Sequence, residues 1–182
     1  MIRFRLPLLL VALVLLAGCG FHLRNQIALP ADLGPVRVVG ASTSYSALVT
    51  SLSRGLQAAG ATLASQIGEE DPTANAGAEV ATLRVMSERW GDLPIAVDQF
   101  GRAQEFSLRY AVVFAFTKAD GTELVPQQVV ELSRDYVSPP QNSTGTTTER
   151  EVLADELRRE MAASILRRVD GVVRSGQVNT AR

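Results

Sequence analysis

The 182 residues contain one cysteine and one histidine, and the two stand close together as Cys19 and His22 in "AGCGFHLR". A lone thiol closes no internal disulfide, and one cysteine with one histidine cannot assemble the usual tetrahedral zinc set. A Ser/His/Asp arrangement would have to use His22, and the sequence has no G-x-S-x-G elbow and no glycine-rich phosphate cradle. The carboxylates are no better placed. Glu69, Glu70 and Asp71 form a run in a Gly/Pro-broken stretch, where charge is ordinarily solvated surface. Glu149, Glu151, Asp155, Glu156 and Glu160 are spread along one amphipathic segment, with Asp155 and Arg159 spaced as an i,i+4 pair. Nothing in these residues supports an enzyme, a lipid-anchored hydrolase being the third reading, and the expectation is a non-enzyme that needs no metal and no diffusible cofactor.

Cys19 has a different use. Before it lie Arg3 and Arg5 and then the apolar run "LPLLLVALVLL" from Leu6 to Leu16, the charge and hydropathy pattern of an export leader. The run is shorter than the roughly 20 residues a membrane-spanning helix needs. "LAGC" at Leu16–Cys19 resembles the lipobox of bacterial lipoproteins. That resemblance implies a cleaved signal peptide over residues 1–18, with Cys19 as the new N-terminus carrying diacylglycerol and an N-acyl chain. Each buried methylene contributes about 0.8 kcal/mol, and more than one chain is needed for a lasting anchor. Gly20 is not the Asp that retains enterobacterial lipoproteins in the inner membrane, so the expected location is the outer membrane.

Composition narrows the partners. The full chain is formally −1, and removing Arg3 and Arg5 with the leader makes the remainder more acidic, so no basic excess points to nucleic acid. Lys118 is the only lysine, and every other basic residue is an arginine. The guanidinium fork suits phosphate and carboxylate, although a GC-rich genome produces the same bias.

Residues 19–35, with "NQIALPADLGP", read as an extended tether. A domain is expected over 36–174 and a loose polar tail over 175–182. Within the domain, "VRVVG" is a short buried strand. Tyr45, Leu48, Val49, Leu52, Leu56 and Ala59 form a helical stripe, capped by Ser44 or a neighbour and stopped by Gly60. "ATLASQI" reads as another short strand. "VATLRVMSERW" runs on through "LPIAVD", with Pro94 at a bulge or edge. In "EFSLRYAVVFAFTK", Phe106, Leu108, Tyr110, Val112, Phe114 and Phe116 share one face, which marks the central strand. Gly101 and Asp120-Gly121 predict hairpin turns, giving an antiparallel meander with "LVPQQVVELSRDYV". Thr148 and Glu151 form a capping-box pattern that opens a helix with Leu153, Leu157, Met161, Ile165 and Val169 on one side and Arg167, Arg168 and Arg174 near its end. The expected fold is an α+β two-layer sandwich: a mixed, largely antiparallel sheet of about four strands with two helices on one face. The other sheet face would carry Arg109, with Arg134 a further candidate.

"LAGCGFHLR", the Leu29-Pro30 step, "VRVVG", a helix ending at Gly60, "FGRAQEFSLRY", "SRDY" and a closing Glu/Arg-rich helix together resemble the LptE family of LPS-assembly lipoproteins. Asn25 departs from the glycine many relatives carry there. The resemblance implies an outer-membrane lipoprotein on the periplasmic side that plugs and helps assemble the LptD β-barrel from within its lumen. It also implies assistance in moving lipopolysaccharide (LPS) to the outer leaflet. LPS bears phosphates and carboxylates, so Arg134, Arg102 and Arg109 are its candidate ligands. The competing reading is another outer-membrane lipoprotein scaffold, accessory to barrel assembly or secretion.

Overall fold

The computed structural model describes residues 27, 29, 33–41, 46–64, 80–138 and 143–180, with side chains of the last helix described from 146 to 175. The leader, Cys19, His22 and the Glu69–Asp71 run lie outside the described residues.

Among the described residues six elements follow in the order β1 (Val36–Val39), α1 (Ala47–Ala58), β2 (Ala81–Val97), β3 (Ala103–Thr117), β4 (Glu123–Val137) and α2 (Ser143–Thr180). The four strands form one sheet in the order β1-β2-β3-β4. β1 lies parallel to β2, and β2, β3 and β4 are antiparallel. The fold is thus the expected α+β arrangement of a mixed four-stranded sheet with two helices.

Alternation along β3 builds the core. Leu108, Tyr110, Val112, Phe114 and Phe116 are fully buried. They meet Leu48, Val49, Leu52 and Leu56 of α1 and Leu157, Met161, Ile165 and Val169 of α2 in a single hydrophobic cluster. Both helices therefore cover the same sheet face. The stretch expected as a tether is partly drawn in: Leu33 is buried, and Ile27 and Leu29 pack against the core.

The ends of α1 follow local chemistry. The cap is Ser46, a neighbour of Ser44, its Oγ accepting from Val49 N at 3.2 Å. At the other end Gly60 adopts φ +89°. There Ala61 N donates to Leu56 O at 3.0 Å and Gly60 N to Gln57 O at 2.9 Å, the paired bonds of a Schellman stop. In "ATLASQI" the described residues, 61–64, make one bridge, Leu63 beside Val36, with Val36 N donating to Thr62 O and Ala64 N to Val36 O.

Three expectations for the last helix fail. α2 begins at Ser143, so Thr148 and Glu151 lie inside it and do not cap it. The Ser/Thr-rich start has weak helix propensity, but Arg150 is held to β2 through Asp92 at 2.8 Å, and such tertiary anchorage sustains a helix that propensity alone would not. At the far end the helix runs to Thr180, so residues 175–180 are helical in backbone where a loose tail was expected. Arg167 and Arg168 then sit well inside the helix, away from its C-terminal dipole. Finally, Asp155 pairs with Arg158, one turn position earlier than Arg159.

Candidate functional site

Helices cover one side of the sheet, which leaves the opposite face and the hairpin ends for contact with other molecules. Strand register sets which side chains point there. Arg109 lies between the buried Leu108 and Tyr110, so it projects from the helix-free face, where its Nη1 is 3.8 Å from Glu131. Arg134 is placed differently from expectation. It is directly opposite Leu108 in the β3–β4 ladder, and opposed residues share a face, so Arg134 projects toward the helices. There it bonds Glu160 of α2 and the Ser133 carbonyl. Arg102 sits at the β2–β3 turn, where Gly101 takes φ +75°. Its Nε donates to Asp98 Oδ2 at 2.8 Å and its guanidinium lies 5.2 Å from the Phe100 ring centroid. The structure therefore does not gather the three candidate arginines into one patch. Each one is already near a carboxylate of its own chain.

Two arginines not singled out from the sequence stand on the helix-free face. Arg84 is opposite Ala115, Arg89 is opposite Ala111, and Gly91 is opposite Arg109. Counting by twes along β2 would put residues 84 and 89 on opposite faces. The register shift between Val85 and Ser87 inserts Met86 as an extra residue and brings both arginines to the same side, the re-aiming that a β-bulge produces. Both are exposed, and neither has a polar partner among the described residues. Ser87 and Val113 lie between their rows, and the small Ala111 and Ala115 stand beside them on β3. On the β4 side of the same face stand Glu131 and Asp135, opposite Ala111 and Ser107, so its two halves differ in charge.

The same bulge turns Glu88, Trp90 and Asp92 toward the helices. Tyr110 Oη donates to Glu88 Oε2 at 2.8 Å, and burial, reinforced by that carboxylate, pushes the phenol far up and keeps it a donor. Trp90 stacks on Tyr110 at 3.8 Å between ring centroids, with Arg158 over it at 5.2 Å. Further along, Arg150 donates twice to Asp92, at 2.9 and 2.8 Å, and Tyr136 Oη donates to it at 3.0 Å. The Arg150 bond holds the Asp92 carboxyl below the usual range, with Tyr136 adding to the effect and partial desolvation opposing it.

That shift has a definite sign. A folded-state pKa below the unfolded value of about 3.9 gives stability that is present above the carboxylate range and is lost as pH falls through the folded value. Urea unfolding of Asp92→Asn is expected to show a stability deficit at pH 7 that shrinks at about pH 3. An equal deficit at both pH values would dissociate this cluster from the acid limb.

These features define a class: a two-layer α+β sandwich whose described helices lie on one sheet face and leave the other partly basic. A family model described as "LptE: Lipopolysaccharide-assembly" matches residues 33–169, and the chain belongs to that family. The family is non-enzymatic and needs no cofactor, and its lipoproteins are associated with the outer membrane. The LPS-assembly lipoprotein LptE of Photorhabdus laumondii is 27% identical over 169 residues, 92% of this chain and 86% of that relative. That of Pectobacterium atrosepticum is 24% identical over the same shares. The fold is shared with lipoprotein B from Nitrosomonas europaea (TM-score 0.62, 21% identity, 88% of this chain and 96% of that one). It is shared also with rare lipoprotein B from Shewanella oneidensis (TM-score 0.59, 20% identity, 81% and 99%).

Proposed function

We propose that this chain is an outer-membrane lipoprotein, tethered by the acylated Cys19, that plugs and helps assemble the LptD β-barrel and assists LPS on its way to the outer leaflet. The observation that carries the reading is the family match across nearly the whole described domain. The structure adds a physical reason for it: a two-layer domain with one sheet face free can lie against the polar interior that wide transmembrane barrels present. No helix among the described residues is long and apolar enough to cross a membrane, which suits an acyl anchor on Cys19. Arg102, Arg109 and Arg134 remain the sequence-derived LPS ligands in this reading. Their neighbouring carboxylates, Asp98, Glu131 and Glu160, would have to yield to phosphate.

Two measurements test it. Expressed with the LptD of its own organism, the chain should co-purify with the barrel in detergent at a fixed ratio; recovery of the barrel alone would remove the plug. For the arginines, R102E/R134E should weaken binding of purified LPS by about tenfold, on the order of one lost charge-assisted contact. Because R134E also confronts Glu160, R102E/R134E/E160R restores that ion pair in reverse. Weak binding should persist in the triple variant, and recovery there would mean that Arg134 holds α2 without touching LPS.

A further inference from the structure

We propose that the basic half of the helix-free face, carried by Arg84, Arg89 and Arg109, is a binding site for the phosphates of a glycolipid headgroup; this rests on the LPS reading above and locates a site for it. Among the described residues, Arg84 and Arg89 differ from the sequence-derived candidates in having no carboxylate to release. A phosphate can therefore take their guanidinium forks without displacing an intramolecular partner.

Register gives the spacing. Arg84 and Arg89 lie level with Ala115 and Ala111 of β3, four strand residues apart, so their rows are separated by about 13 Å. Arg109 is one same-face step beyond Arg89 on the neighbouring strand, about 7 Å further along. This arrangement suits two anionic groups held apart by a sugar body, one at Arg84 and the other shared by Arg89 and Arg109. Between the two rows the surface turns apolar and low. Ser87 and Val113 are opposed there, and the bulged Met86 is exposed beside them, which provides a seat for the less polar face of a sugar ring.

Gly91 is directly opposite Arg109, and a Cβ built on it would meet nothing within 4 Å. Its φ is not positive, so neither turn geometry nor internal packing calls for glycine. A strand glycine of this kind marks a place where a ligand or another backbone comes close. It leaves the Arg109 guanidinium open on the β2 side while Glu131 borders it on the β4 side.

The width of the basic region favours a headgroup over a protein wall. Two strands span only about 10 Å, and on the β4 side Glu131 and Asp135 reverse the sign. A broad acidic surface laid across the whole face would meet both charges, whereas a compact bis-phosphorylated sugar fits within the basic half.

The test uses the full chain and two probes, LPS carrying both glucosamine phosphates and the same LPS after enzymatic dephosphorylation. R84Q/R89Q should unfold like the native chain and bind the phosphorylated probe about tenfold or more weakly. Dephosphorylation should weaken the native chain at least as much as R84Q/R89Q does, and should weaken the variant clearly less than it weakens the native chain, because only the remaining arginines still meet phosphate there. Binding of the phosphorylated probe within twofold of native by R84Q/R89Q, with native binding intact, overturns the site and leaves the LPS reading standing. Failure of the native chain to bind either probe instead removes LPS binding from the reading itself. Normal LPS binding by R84Q/R89Q with lost LptD co-purification would also overturn the site and assign the face to the barrel.

Discussion

Replacing Phe114 by Ala is expected to lower the unfolding free energy by about 4 kcal/mol, in the range for deleting a buried aromatic ring. Phe114 has no exposed surface and belongs to the cluster shared by the sheet and both helices. The helices cannot both settle into the vacated volume, because each is fixed by its own row of buried residues. The adjoining Val113 offers the control. It stands on the helix-free face opposite Ser87 and is only half-buried, so Val113→Ala should cost about 1 kcal/mol or less. Urea unfolding of the two variants separates a sheet covered on one face from one covered on both. Similar losses at the two neighbouring positions would contradict the one-sided arrangement.

Gly55→Leu is expected to cost about 3 kcal/mol, near the upper end for overpacking. Gly55 lies inside α1, where glycine is intrinsically poorer than alanine by about 1 kcal/mol. The reason for its presence is across the helix interface: a Cβ there would be 2.3 Å from Leu166 Cδ1 of α2. Leu166 is itself buried, so a large side chain at 55 must push the helices apart or drive Leu166 from its rotamer. Much of the loss should return in Gly55→Leu/Leu166→Ala, which gives the new side chain the old one's space. Gly171 shows the opposite situation. A Cβ there meets nothing within 4 Å, and Gly171→Ala should stabilise α2 by up to about 1 kcal/mol. Thermal unfolding of these variants checks both signs, and no recovery in the double variant would place the cost elsewhere.

How much of this was legible in the sequence depended on whether a periodic pattern ran uninterrupted. β3 keeps strict alternation from Phe106 to Phe116, and its core face and central position follow directly. β2 alternates only as far as Val85. Beyond the inserted Met86 the phase reverses, so Arg89 is assigned to the wrong face by counting, and nothing in "RVMSER" marks the bulge. Arg134 was misplaced for a different reason. Val130, Leu132 and Tyr136 step by twos on the covered side of β4 and carry Arg134 with them, but its charge argued for the open face, and the carboxylate that receives it, Glu160, is 26 residues away. The start of α2 was misread because Ser and Thr favour caps over helix interiors, while the Asp92 contact that holds Arg150 joins residues 58 apart. Local chemistry was legible where it acted locally, at Gly60, Gly101 and Gly121, each with positive φ.

The strands are unequal in length, and this bears on how the sheet edge resists aggregation. β1 covers β2 only from Ala81 to Arg84, so on the side away from β3 the rest of that 17-residue strand is bordered by no other named strand. A long bare edge invites a strand from another molecule and begins aggregation. Here the edge is broken by register shifts beside Met86 and Ala96, and by Pro94, which has no N–H to offer. Along β2 an incoming strand would find no continuous, straight ladder to extend.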